Sequence, residues 1–359
     1  MSDILPYHRQ LHARRPAGPV GGPFATAERP MGGDRPTVSK KSRATDGAAP
    51  VLARLAGALV VVFLVTLVAF LLSYLSPTDA AVRSFAEAGV SPTESQLAEK
   101  RAELGLDRPF TEQYAGWLAG VFRGDLGTSL RSGEPVAEVL LDALPYTLAL
   151  ALSSIVLTLL ASVPLALACA YWQGGPLDRA VQAATYLFCS MPSFFVALLL
   201  LYVFSVRLRM LDVLSTRDLA GILLPTVATT LPLSAWLTRQ LRTVAIGQLS
   251  SAYVDGLRAR GVPEPRIVLV HVLKNSLVPL LTLAGTAFGM LLGGSAIVEG
   301  IFGWPGLGFE SIKAVGHRDY PLIGAYALVA AVAYLLVNAA VDGACRLIDP
   351  SIEGEAGDD

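Results

Sequence analysis

Charge is scarce in this chain. Of its 359 residues, 16% are Asp, Glu, Lys or Arg, and the formal net charge is −1; soluble domains carry about 25% charged residues. So little positive excess excludes a broad nucleic-acid footprint. The sequence has three cysteines, Cys169, Cys189 and Cys345. All fall in apolar stretches without metal spacing or a pairing pattern, so they read as small packing residues. The four histidines, His8, His12, His271 and His317, avoid the centres of the apolar runs. There is no Gly-x-x-x-x-Gly-Lys-Ser/Thr phosphate loop, no Gly-x-Ser-x-Gly elbow and no His-Glu-x-x-His zinc motif. ATP binding by this chain and an intramembrane hydrolase are therefore both disfavoured. No residue is a candidate for catalysis, for cofactor binding or for a metal. Ionisable residues are nearly absent inside the apolar runs as well, which argues against an ion-coupled secondary transporter or a channel.

What the chain has instead is apolar surface, 53% of its residues. A soluble core cannot hide that much, so lipid is the expected solvent. Six runs are near the ~20 residues that a spanning helix needs. They are Leu55 to Leu75, Leu144 to Tyr171, Ala180 to Val206, Leu219 to Leu237, Leu277 to Val298 and Leu322 to Leu347. Helix is the expected form, because a segment in lipid must satisfy its own backbone hydrogen bonds. The expectation is an all-α membrane protein with about six transmembrane helices.

Lys and Arg set the orientation. Lys40, Lys41, Arg43 and Arg54 precede the first run, and Arg239, Arg242, Arg258, Arg260, Arg266 and Lys274 fall around the fourth-to-fifth connection. Both regions are expected in the cytoplasm, as are both termini. The long segment 76–142 is acid-rich and is expected outside. The loop with Arg207, Arg209 and Arg217 is a weak exception to the rule, being external by this count. Residues 1–50 are basic and rich in Pro and Gly, which reads as a disordered tail and not as a cleavable signal peptide. Residues 353–359 read as an acidic tail. The transmembrane domain is expected over 51–352.

The connection at 246–276 is far longer than two membrane helices need. Tyr253 and Leu257 share one face of a short predicted helix, Gly261 ends it, and Pro263 and Pro265 prevent its continuation. A second helix is expected from about Glu264 through Ile267 and His271. Helix, glycine break and helix make a compact knob that can pass force from a partner to the membrane helices.

This stretch resembles the "EAA" coupling loop of bacterial ABC importer permeases. Further motifs resemble the dipeptide/oligopeptide/nickel branch of that family: Leu104-Gly-Leu-Asp-Arg-Pro109, Gly124-Asp-Leu-Gly-Thr-Ser-Leu-Arg-Ser-Gly133, Met191-Pro-Ser-Phe194, Val298-Glu-Gly-Ile-Phe-Gly-Trp-Pro-Gly-Leu-Gly308, Arg318-Asp-Tyr-Pro321 and Leu347-Ile-Asp-Pro350. The likeness runs over about residues 51–352 and is closest to the B-type subunit, with its long external segment. One departure stands out: Asp255-Gly256-Leu257 puts an acid and a glycine where the family's coupling helix usually carries Arg-Thr-Ala.

The resemblance implies a non-enzymatic transport subunit of the bacterial cytoplasmic membrane. Its implied partners are a second homologous permease, two ATPase subunits that bind ATP-Mg, an extracytoplasmic solute-binding protein and the lipid bilayer. Tyr253, Asp255, Gly256, Arg258, Ala259, Arg260 and Gly261 are the candidates for ATPase coupling. Met191, Pro192, Ser193 and Phe194 either line the translocation path or mark a proline kink. Glu299 and Asp319 are expected at the surface, and Phe302 to Gly308 as a tight turn. His271 reads as a packing residue at the membrane edge. Peptide is the first choice of solute, with nickel or a metal–chelator complex as the alternative.

Overall fold

A computed structural model describes residues 48–75, 80–87 and 89–348. Most of the expected tail 1–50, the end of the domain after 348 and the tail 353–359 lie outside them. Among the described residues the regular structure is helical, with one isolated bridge between Thr128 and Pro135.

The elements are α1 (Ala48–Tyr74), α2 (Ala80–Glu87), α3 (Glu94–Glu103), α4 (Phe110–Val121), α5 (Val136–Tyr171), α6 (Pro176–Ser190) and α7 (Ser193–Leu200), which continues as a π-helix over Leu201–Arg207. Then come α8 (Leu219–Leu249), α9 (Ala252–Ala259), α10 (264–275, with a π-helical middle at Ile267–Val272), α11 (Leu277–Phe302), α12 (Leu307–His317) and α13 (Tyr320–Ile348). Four of them, α5, α8, α11 and α13, are long and apolar enough to cross a membrane, and α6 with α7 passes as a bent pair. In α1 the apolar stretch Ala56–Val68 is shorter.

Lipid-like surroundings are visible in what the helices leave outside. Leu59 on α1 is 66% exposed, and Leu152 and Leu160 on α5 are 60% and 68% exposed. Contiguous apolar surface of that kind needs lipid or a partner to cover it. Between helices the contacts are small or hydroxylic. Ser154 and Thr229 hydroxyls meet at 2.7 Å, Ser153 and Thr226 at 2.9 Å, and Ser162 donates to the Ser234 carbonyl, which ties α5 to α8. Such bonds and close approaches hold helices together where no hydrophobic effect separates them from lipid.

Three runs differ from the sequence expectation; the fourth continues past Leu237, as α8, to Leu249. The third run, Ala180 to Val206, is not one rod: it breaks at Met191-Pro192 and turns by 97°. Proline disfavours the α region for the residue before it, and Met191 accordingly sits extended at φ −91°, ψ 122°. The second run begins at Val136 and not at Leu144, behind Pro135. The segment after α1 carries α2, α3 and α4. The last of these packs on the bundle, with Tyr114 Oη 3.0 Å from Thr66 Oγ1 of α1 and a ring cluster of Phe70, Phe110, Tyr114 and Trp117.

Candidate functional site

Three places stand out: the α9 knob, the break in the third run, and a clasp at the opposite end of α11.

The knob is built on a buried seam. Val254 is fully buried against Ala245 of α8, Leu167 and Ala170 of α5, and Ile267, Val268 and Val272 of α10. Gly261 caps α9 with φ +76°. Its N–H donates to the Arg258 carbonyl and the Val262 N–H to the Leu257 carbonyl, with Leu257 and Val262 sharing the seam. This is the glycine-terminated helix end that the sequence suggests. Pro263 and Pro265 then open α10.

The coupling candidates divide by direction. Tyr253 turns inward, its hydroxyl donating to Gln248 Oε1 at 3.1 Å. Arg258, itself exposed, braces the knob across its surface: Nε meets Glu264 Oε1 at 2.6 Å and Nη1 meets Asp255 Oδ1 at 3.3 Å. The hydrogen bond it donates to Glu264 raises the already high guanidinium pKa further. Asp255, Gly256, Ala259 and Arg260 are exposed on the outer face, at i, i+1, i+4 and i+5. Nothing lies within 4 Å of where a Gly256 Cβ would be, so that face is open.

At the break, a cavity of about 270 Å³ is lined by Cys189, Ser193, Thr229, Trp236, Met290 and Ser295 among others. Of the four residues Met191 to Phe194, Ser193 lines it, Met191 and Pro192 form the turn, and Phe194 points outward at 43% exposure.

The clasp is the part sequence reasoning placed wrongly. Glu299 and Asp319, expected at the surface, are 0% and 1% exposed. Glu299 lies in the last turn of α11, beneath the N-terminus of α12. Its carboxylate accepts from Phe309 N–H at 3.0 Å and Thr147 Oγ1 at 3.1 Å, while Leu307 N–H donates to Thr147 Oγ1 at 2.7 Å. A helix start carries free N–H groups and a positive dipole end, so an acid can be buried there. Trp304 Nε1 donates to the Tyr146 carbonyl and fastens the turn to α5. Asp319 accepts from Ser129 Oγ and stands just before α13, near the Leu322 N–H. Motifs nearly 200 positions apart thus meet: Ser129 on Asp319, and Gly127 against Pro321. The signals were present, an acid just before a Gly/Pro turn into a helix and an Asp at a helix start. Replacing Ser129 with alanine leaves the buried Asp319 one donor short and is expected to lower thermal stability by about 1–3 kcal/mol. The melting temperature of the purified protein measures that, and an unchanged value would mean the contact is slack.

Among the described residues no three of His, Cys, Asp and Glu gather as a metal site.

A helical bundle of apolar spans, one of them broken beside a cavity, with a compact knob standing on the span ends, fits a transport subunit of the permease class. A family model described as binding-protein-dependent transport system inner membrane component matches residues 162–354, and its N-terminal companion matches residues 50–151. The chain belongs to this family, the permease subunits of ABC importers. It is a transport subunit and not an enzyme; the ATPase resides on separate subunits, and a binding protein and the inner membrane complete the system. Among relatives, it is 34% identical over 302 residues to the glutathione transport system permease protein GsiC of Salmonella choleraesuis, covering 84% of this chain and 98% of that one. It is 33% identical over 310 residues to the "Probable peptide ABC transporter permease protein y4tP" of Sinorhizobium fredii, with the same coverage of 84% and 98%. In fold it resembles the inward-facing MetNI methionine ABC transporter, with a TM-score of 0.51 and 19% identity over 58% of this chain and 96% of that one.

Proposed function

We propose that the chain imports a peptide-like solute and that its knob, residues 252–261, docks in a groove on an ATPase subunit. The observation that carries the docking is the knob itself. It presents an open face of Asp255, Gly256, Ala259 and Arg260 on a short helix whose other side is buried against α5, α8 and α10. Force applied to such a helix reaches two spans without being lost in a flexible loop. Relatives named for glutathione and for peptides support the solute class.

In this reading the complex holds two permeases, this one and a homologue, with two ATPases that bind ATP-Mg. The solute leaves an extracytoplasmic binding protein and passes between the permeases by way of the cavity at Ser193. Both termini and the 246–276 loop face the cytoplasm, and the segment 76–142 faces outward. ATP-driven closure of the ATPases moves the knob and shifts the spans between two states. The test is uptake into vesicles that hold the whole complex and its binding protein, using radiolabelled glutathione, labelled trialanine and nickel ion. ATP-dependent uptake of a peptide supports the reading. Uptake of nickel with neither peptide replaces the solute class, and peptide uptake without ATP contradicts the mechanism.

A further inference from the structure

Asp178 is buried where a charge is costly, its partner Arg242 is half-buried with 18% of its side chain exposed, and the pair lies outside all three places described above. Asp178 stands in the first turn of α6 and is 1% exposed. Arg242 stands on α8, two turns before the helix ends at Leu249 and hands the chain to the knob. Their contact is bidentate: Nε to Oδ1 at 2.7 Å and Nη2 to Oδ2 at 2.7 Å. Gly174 N–H at 2.8 Å and Gln182 Nε2 at 3.0 Å complete the carboxylate. A planar fork on a carboxylate fixes orientation as well as distance, which a lysine could not do. A second tie lies farther along the same two helices. Arg239, one turn before Arg242, sits 4.3 Å from the ring centre of Tyr186, two turns beyond Asp178.

These ties join two elements with different tasks. At one end α8 leads into α9, and at its middle Thr229 and Trp236 line the cavity. From its tied end α6 runs to the break at Met191-Pro192, after which Ser193 lines the same cavity. We propose that Asp178 and Arg242 are positioning residues that form a coupling strut, making α6 follow α8 so that movement of the knob is delivered to the broken span at the cavity. Buried ion pairs add little net stability compared with apolar packing, so their presence here suits a geometric task. The proposal rests on the reading that the knob docks an ATPase.

The test uses the assembled complex with the three natural cysteines replaced by alanine. Spin labels at Arg179→Cys and Thr243→Cys report the distance between the strut ends of α6 and α8, with and without ATP and vanadate. In the otherwise natural chain the distance is expected to change by less than about 2 Å, the scale of small helix shifts. With Arg242→Gln it is expected to become nucleotide-dependent, moving by about 5 Å, the scale of a one-turn slip. Because that variant strands a buried carboxylate, Asp178→Asn with Arg242→Gln is run beside it, and the same nucleotide dependence is expected. A natural chain whose two ends separate on adding ATP overturns the strut. So does a constant distance in the folded double variant. A purely structural pair would change stability in these variants without making the distance depend on nucleotide. If the ATPases bind a chain whose knob is blocked, the docking reading fails by itself, whatever the distances show.

Discussion

Gly308→Ala is expected to abolish uptake. A Cβ at position 308 would lie 2.4 Å from Ala296 Cα, 2.8 Å from Ala296 Cβ and 2.9 Å from Glu299 Oε2. All three atoms belong to the spanning helix α11, and the two of Ala296 cannot swing aside like the end of a long side chain. Forced overpacking costs about 1–3 kcal/mol. Here the only relief is to lift α12 off α11, which takes the Phe309 N–H away from the buried Glu299. The loss of those donors adds about another 1–3 kcal/mol. Since every ~1.4 kcal/mol is a factor of ten in an equilibrium, both terms together shift the clasp towards its open form by roughly 30-fold or more. Uptake by vesicles and the melting temperature of the purified complex both read this. Natural uptake and natural melting would show that the contact at Ala296 is not as close as described. Gly306→Ala, whose Cβ would lie 2.5 Å from both Glu299 Oε2 and Thr147 Oγ1, is expected to follow the same course.

Gly261→Val is expected to release the ATPase subunits. The position holds φ +76°, which costs an L residue roughly 1–2 kcal/mol and a β-branched one more. Valine would favour an extended or αR backbone there, and either choice breaks the bond from Val262 N–H to the Leu257 carbonyl. The cap then opens and α9 frays from its C-terminal end, where Ala259 and Arg260 present the outer face. The spans keep their own packing, so the chain is expected to enter the membrane normally and to retain the second permease of the proposed complex. Co-purification, with the two permeases as an internal standard, measures the loss. ATPases held at the natural ratio would mean that the capped geometry is not what they recognise.

The helical form of the apolar runs was readable because lipid makes a simple demand, that a long uncharged run be a helix; of the six expected spans, four helices and one bent pair are long and apolar enough to cross, and the apolar stretch of α1 is shorter. The knob was readable because its punctuation is local; Gly261, Pro263 and Pro265 act on their own backbones. What escaped the sequence depends on long-range neighbours. Pro192 could bend the span or be absorbed by it, as Pro145 and Pro164 are absorbed in α5, and the residue type alone did not separate the two. Glu299 and Asp319 looked like surface acids because their donors come from far away: Thr147 lies 152 positions from Glu299 and Ser129 lies 190 from Asp319. Arg242 was counted as a loop charge setting orientation, whereas its guanidinium is spent on Asp178. Among the coupling candidates the residue types were visible but not their directions. Arg258 faces Glu264 and Asp255, and Arg260 is left on the open face.

The most direct measurement is to tag the chain, purify it from its host in mild detergent, and compare it with Gly256→Trp. Position 256 has open space around it and lies on the outer face of α9, so the indole should leave the fold intact while standing where the partner's groove must close. The natural chain is expected to bring the second permease and the ATPases with it, and the variant to keep the permease and lose the ATPases. ATPases retained in full by the variant would contradict the claim that this face of the knob is where ATP-driven force enters the chain.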